Sequence, residues 1–220
     1  LGRTPYRANF PALADPYNTR LDFLSTVTRH NVLQPARAGL SPSLRPSMLD
    51  LSGNTTGASL APATYLYCTD CHNHNRARSG GGTAASGPHG SDFEHLLERR
   101  YDLEPLPATP GGVTSGVTYI SGLAGTYALC DKCHDIENRL LLGDSAFGQH
   151  HKHVVQQQTS CATCHAPHGV QNANSVNHSR LLNPDARIVA PNSFGQLRID
   201  TGARTCSLLC HGKDHVNQPY

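Results

Sequence analysis

All eight cysteines of this chain, and four of its fourteen histidines, fall into four clusters. They are Cys68-Thr-Asp-Cys71-His72, Cys130-Asp-Lys-Cys133-His134, Cys161-Ala-Thr-Cys164-His165 and Cys206-Ser-Leu-Leu-Cys210-His211. Residues of these types at this spacing could make a disulfide framework, a zinc clip, a redox dithiol or a covalent haem tether. A disulfide framework needs no histidine after each pair. Structural zinc uses Cys₂His sets, but four clips each ending in an adjacent histidine are an odd zinc pattern. A thioredoxin-like dithiol is expected once, near a βαβ pattern that this chain lacks. Cys-x-x-Cys-His is the c-type haem attachment signature. Two thioethers join the sulfurs to the vinyl groups, and the next imidazole then lies under the iron as proximal ligand. The fourth cluster has one extra residue in its gap and reads as a longer-gap site whose loop bulges to reach both vinyls.

With His72, His134, His165 and His211 proximal, ten histidines and the single methionine, Met48, remain as distal ligands. All four irons are therefore expected to be bis-His, with the low potentials that imidazole on both faces implies. His89 lies in "GPHGS", a turn able to aim a side chain inward. "HHKHV" offers His150, His151 and His153 for two neighbouring irons. His178 precedes a Leu-rich stretch able to cover a porphyrin. His30 stands alone in a Cys-free region. His168 and His74 follow their proximal histidines too closely to reach the opposite face of the same haem. For His95 and His215 a surface side chain is as good a reading. The distal candidates are thus His30, His89, His150, His153 and His178. Six-coordinate irons leave no place for substrate, so electron transfer is expected rather than catalysis. A multihaem reductase would need one five-coordinate iron.

The elements that must position these residues leave a fainter trace. The chain has 220 residues with 20 Gly, 15 Pro, 5 Phe and no Trp, so it is punctuated throughout and poor in large core formers. The expected fold is mostly irregular, with short α-helices and little β, organised around a haem core. Porphyrin burial and covalent tethers there replace side-chain packing in offsetting chain entropy. Residues 1–67 read as a Cys-free arm and 68–220 as the tetrahaem domain. Helices are expected over 20–30, over 91–101 and in "YALCDKCHDIENRLLLG", which stops at Gly143. Helical turns should flank each motif. Strands should be few and short, with "SVNHSRLL" and "FGQLRID" as weak candidates. The formal charge of +2, with no Lys/Arg run, excludes nucleic acid as a partner. Eight propionates and four ferric irons would move that charge to about −2 oxidised and about −6 reduced. No stretch approaches the ~20 apolar residues of a membrane span. The first residues lack a signal peptide's basic start and apolar core, so an exported protein would be in its mature form. Asn54-Thr55-Thr56 is a glycosylation acceptor pattern. Arg76, Arg78, Arg99 and Arg100 are candidate partners for propionates.

Beyond the bare motifs, "TSCATCHAPHG" preceded by "HHKHVV", then "NHSRLLNPD", with "GPHGS" upstream, resembles the doubled haem-motif cytochromes c. In placement, His89, His150, His153 and His178 are similar to that family's distal histidines. The resemblance covers about residues 65–215. A tetrahaem chain with a long N-terminal arm also resembles the extracellular cytochrome filaments called nanowires. In that family subunits polymerise head to tail, and a histidine of one ligates a haem of its neighbour. Carried over, that role falls to His30. The resemblance implies an exported, extracellular or cell-surface electron carrier, with periplasm as the alternative location. Its partners would be copies of itself, other cytochromes, and solid or soluble electron acceptors. A monomeric periplasmic shuttle is the alternative.

Overall fold

A computed structural model of the chain describes residues 23, 26–32, 43–45, 66–143, 147–171 and 180–220. They are mostly irregular, with single helical turns and two small sheets. Strand β1 (Thr26–Thr28) pairs antiparallel with β2 (Val170–Gln171). Helical turns α1 (Ala128–Asp131) and α2 (Cys161–Cys164) are each four residues long. Strands β3 (Arg198–Asp200), β4 (Thr205–Cys210) and β5 (Lys213–Pro219) form an antiparallel sheet with β4 in the centre. Short 3₁₀ turns at Cys68–Asp70, Arg78–Gly80 and Glu94–Leu96, and wider π-turns at Ile136–Leu140 and His151–Gln156, complete the set. Among the described residues no helix is long and apolar enough to cross a membrane.

The chain forms two compact units, each assembled from separate stretches. One contains Leu1–Leu33, Glu104–Gly116 and Ser160–Tyr220; the other contains Gln34–Leu103 and Val117–Thr159. The boundary drawn at 67/68 from cysteine content does not coincide with either unit. The arm residues described so far divide between the two, because their backbone bonds reach different motifs. Each unit carries two of the four motifs. The core is thin, as the composition predicts. In the first unit it is Ile188, Val189 and Leu208, with Leu197, Ile199 and Cys210 against them. In the second, Tyr127 is buried and its ring lies beside those of Tyr101 and Tyr119.

Three local expectations fail in whole or in part. Within the helix expected over 20–30, Phe23 is helical but Thr26–Thr28 form strand β1. The helix over 91–101 shrinks to the turn Glu94–Leu96. His95 and Leu96 there take left-handed backbone angles, φ +61° and +56°, which no α-helix tolerates. Strands are not uniformly short, since β4 and β5 run to six and seven residues. The expected strand in "FGQLRID" appears as β3, and Gly143 takes φ +86° beyond the π-turn, as a helix stop does.

Candidate cofactor-attachment sites

Three of the four motifs fold in the same way. In each, the backbone N–H of the histidine donates to the carbonyl of the first cysteine: His72 to Cys68 at 2.7 Å, His134 to Cys130 at 2.9 Å, His165 to Cys161 at 2.9 Å. One closed α-turn results. Residues i and i+3 of such a turn share a face, about 5–6 Å apart at Cβ, so both thiols project together. The histidine sits at the end of the turn, directly beneath them.

Each of these histidines is then gripped by a second segment that cysteine counting does not predict. His72 forms an isolated antiparallel bridge with Leu97, His134 with Leu44 and His165 with Leu182. The residue after each leucine donates its N–H to the second cysteine's carbonyl: Glu98 to Cys71 at 2.8 Å, Arg45 to Cys133 at 2.8 Å, Asn183 to Cys164 at 2.7 Å. The same straps hold the imidazoles. Nδ1 of His72 is 2.8 Å from the His95 carbonyl, Nδ1 of His165 is 2.9 Å from the Arg180 carbonyl, and Nδ1 of His134 is 2.9 Å from Ser43 Oγ. Anchoring at Nδ1 makes Nε2 the nitrogen that can meet a metal, and fixes the ring plane. To offer its carbonyl, the first strap uses His95 and Leu96 in the left-handed region. The third uses Arg180 and Leu181, at φ +59° and +60°. Each such residue costs on the order of 1–2 kcal/mol. Two consecutive strained residues appear twice, and both times they serve an imidazole.

The fourth motif is built differently. Cys206 and Cys210 lie on the central strand β4, not on a helical turn or a bulged loop. Pairing on both edges, with β3 and β5, extends the segment. Four strand residues span roughly 13 Å, more than twice the helical i,i+3 separation. His211 follows at φ +50°. Its Nε2 lies 3.0 Å from Glu104 Oε1, and its Nδ1 is 3.5 Å from Thr114 Oγ1. Three motifs therefore share one backbone geometry, and the fourth matches them in residue content but not in backbone shape.

Within each unit the two motifs are adjacent. Lys132, inside the second motif, donates to the Asp70 carbonyl of the first at 2.7 Å and to Glu98 at 3.1 Å. Asn73 also reaches Glu98, at 3.4 Å. In the other unit, Glu104 has the corresponding place, with a side chain fully shielded from solvent. It accepts from Thr163 of the third motif at 2.7 Å and from Thr114 at 2.5 Å, and it meets His211 of the fourth. Thus Lys132 and Thr163, both directly before the second cysteine of their motifs, each hydrogen-bond a carboxylate.

Desolvation raises the thiol pKa values. Cys164 and Cys210 are pushed up to about 12 by burial, reinforced at Cys164 by the Cys210 thiol and at Cys210 by Glu104. Cys71 is pushed to about 11 by desolvation and the neighbouring Cys133. None of the eight cysteines is disulfide-bonded in this structure. A reactive dithiol has a lowered pKa, so the surroundings of Cys71, Cys133, Cys164, Cys206 and Cys210, which raise it, count against that reading there. Among the described residues no three His, Cys, Asp or Glu side chains converge on a point that could hold a metal ion.

Burial also lowers the pKa values of His30 and His165 below the ordinary 6.5, and His30 lowers that of His165 further. Unfolded, both imidazoles take up protons as pH falls below about 6.5; folded, they resist. The associated stability is complete above that pH and is lost on acidification, by up to about 1.4 kcal/mol per pH unit for each residue. Urea unfolding of polypeptide made without haem should therefore show a lower midpoint at pH 5 than at pH 7.5.

The remaining candidates are distributed between the units. His89 lies over Gly87, whose φ is +114°; a Cβ at Gly87 would come within 2.9 Å of the His89 imidazole. His74 sits beside the same loop, its N–H donating to the Gly87 carbonyl at 3.0 Å. The His153 Nδ1 is 2.9 Å from the Gln149 carbonyl, and Phe147 packs against both His150 and His153. His151 is exposed. His30 is held at Nδ1 by the Pro167 carbonyl of its own chain, at 2.7 Å. His168 packs on Phe23, and His215 approaches the Cys206 sulfur at 4.0 Å. His178, Met48 and Asn54 lie outside the described residues. Arg100 pairs with Asp102 at 2.6 Å, and Arg78 reaches the Thr83 carbonyl at 3.4 Å.

The straps were the residues that motif reading missed. Their only sequence trace is His95-Leu-Leu-Glu98 and Arg180-Leu-Leu-Asn183, a similarity too short to stand out. Compared with family models, with curated proteins and with solved structures, the chain matches none.

Proposed function

We propose that this chain is an exported electron-transfer protein that carries c-type haems on its four Cys-Cys-His motifs. One observation carries the reading: the threefold recurrence of a closed turn, with two thiols on one face and an imidazole anchored at Nδ1. Each of the three helical-turn motifs would hold a porphyrin by addition of its two thiols across the vinyl groups, with the histidine as iron ligand through Nε2; at the fourth motif His211 would first have to leave Glu104. The bound iron supplies reversible one-electron exchange. The straps orient the imidazoles and prevent the rings from turning. Lys132, Glu98 and Glu104 keep the two motifs of each unit adjacent, which favours transfer between neighbouring haems. Haem attachment takes place after export, so the proposed location is extracellular or at the cell surface, with the periplasm as alternative. Its partners are further copies of the chain, in a head-to-tail filament, or other redox carriers and acceptors.

The test is the intact mass and pyridine haemochrome of protein made in a host with c-type maturation. Four haem additions and a haemochrome absorbance of matching size are expected. A colourless product with the bare polypeptide mass would overturn the reading. Electron microscopy of the same material distinguishes filaments from a monomeric shuttle.

A further inference from the structure

We infer that His30 is the distal iron ligand of the third site, facing His165 of the same chain across the iron. The inference rests on the haem reading above and adds a ligand assignment that motif spacing cannot supply.

The segment around His30 is anchored to the third motif at several independent points, although 137 residues separate His30 from Pro167. Strand β1 pairs with β2, which begins five residues after His165. Thr28 Oγ1 accepts from the Leu181 N–H at 3.0 Å, inside the strap that holds His165. Phe23 packs on His168, with ring centroids 5.5 Å apart. The Pro167 carbonyl receives Nδ1 of His30 at 2.7 Å. His30 and His165 are thereby held in the same manner, each at Nδ1 by a backbone carbonyl, the anchoring that metal-ligating histidines commonly show at the nitrogen away from the metal. Among the described residues of this unit the competitors are worse placed. His168 follows His165 by three residues and cannot cross to the other face, and His215 lies against Cys206 of the fourth motif.

A consequence concerns assembly. With His30 committed to its own third site, head-to-tail contact between copies must use other residues.

The experiment uses the full haem-loaded chain. His30→Ala should retain the haem mass of the unaltered protein while one iron becomes high-spin in electron paramagnetic resonance. Added imidazole should restore the low-spin signal. His30→Met should convert one iron to His/Met ligation, with the corresponding charge-transfer band. In unaltered protein diluted until sedimentation shows monomers, the iron that opens in His30→Ala should stay low-spin. Unchanged spectra in both variants would overturn the assignment. So would opening on dilution of the same wild-type iron that opens in His30→Ala, because its ligand then comes from a neighbour. Paramagnetic NMR of the unaltered protein needs no variant: His30 ring protons should carry large hyperfine shifts, and diamagnetic positions would refute the inference. Haem-free wild-type protein would instead sink the haem reading and this assignment with it.

Discussion

Replacing Glu104 by alanine is expected to destabilise the fold by about 1–3 kcal/mol, the cost of leaving a buried hydrogen-bond donor without its acceptor. The carboxylate has no solvent contact and joins Thr114, Thr163 and His211. Its removal leaves the Thr163 hydroxyl, itself fully buried, without its short acceptor. It also takes away the carboxylate that meets His211. A buried donor stripped of its partner costs about 1–3 kcal/mol, and hydrogen bonds to charged groups lie at the upper end of their range. Glu104→Gln preserves the shape and one accepting oxygen, so roughly half the loss is expected. Urea unfolding of both variants against the unaltered chain measures this. A loss within 1 kcal/mol for Glu104→Ala would show that the carboxylate does not join the two motifs energetically.

The second large effect is on cofactor content. Changing Cys161 and Cys164 together to serine should remove one haem from the intact mass and about a quarter of the haemochrome absorbance. The turn itself should persist. Its closing bond, from the His165 N–H to the Cys161 carbonyl, is backbone to backbone, and the Asn183 and Arg180 contacts do not involve sulfur. Serine is nearly isosteric but cannot form the thioether, so the variant separates folding from attachment. The parallel Cys206→Ser, Cys210→Ser pair asks the same of the strand-borne motif. If that pair leaves the haem count unchanged, attachment is confined to the three helical turns.

The three helical motifs were legible because their chemistry is local. A Cys, a second Cys three residues on and a His next to it are brought together by one turn of backbone, whatever the rest of the chain does. The mostly irregular class was also legible, from the density of Gly and Pro and the scarcity of aromatic side chains. The fourth motif shows where local reading stops. Its extra residue was read as a bulge, yet partners on both edges of β4 draw it out as strand. The segment 91–101 fails for a related reason. Its composition suits a helix, but the His95 carbonyl serves His72 and Leu97 pairs with that histidine's backbone, which forces His95 and Leu96 into the left-handed region.

Sequence alone therefore determined the reactive groups, their pairing within each motif and the turn that presents three of the four. Tertiary structure decided which motifs are neighbours, which straps hold the imidazoles, that Glu104 is enclosed between two motifs, and that His30 lies at the third. The division follows from range. Spacing of three or four residues is set by backbone geometry, whereas contacts across 91 residues at Ser43–His134, or 137 at His30–Pro167, depend on long-range loop closure that leaves no periodic trace in the residues themselves.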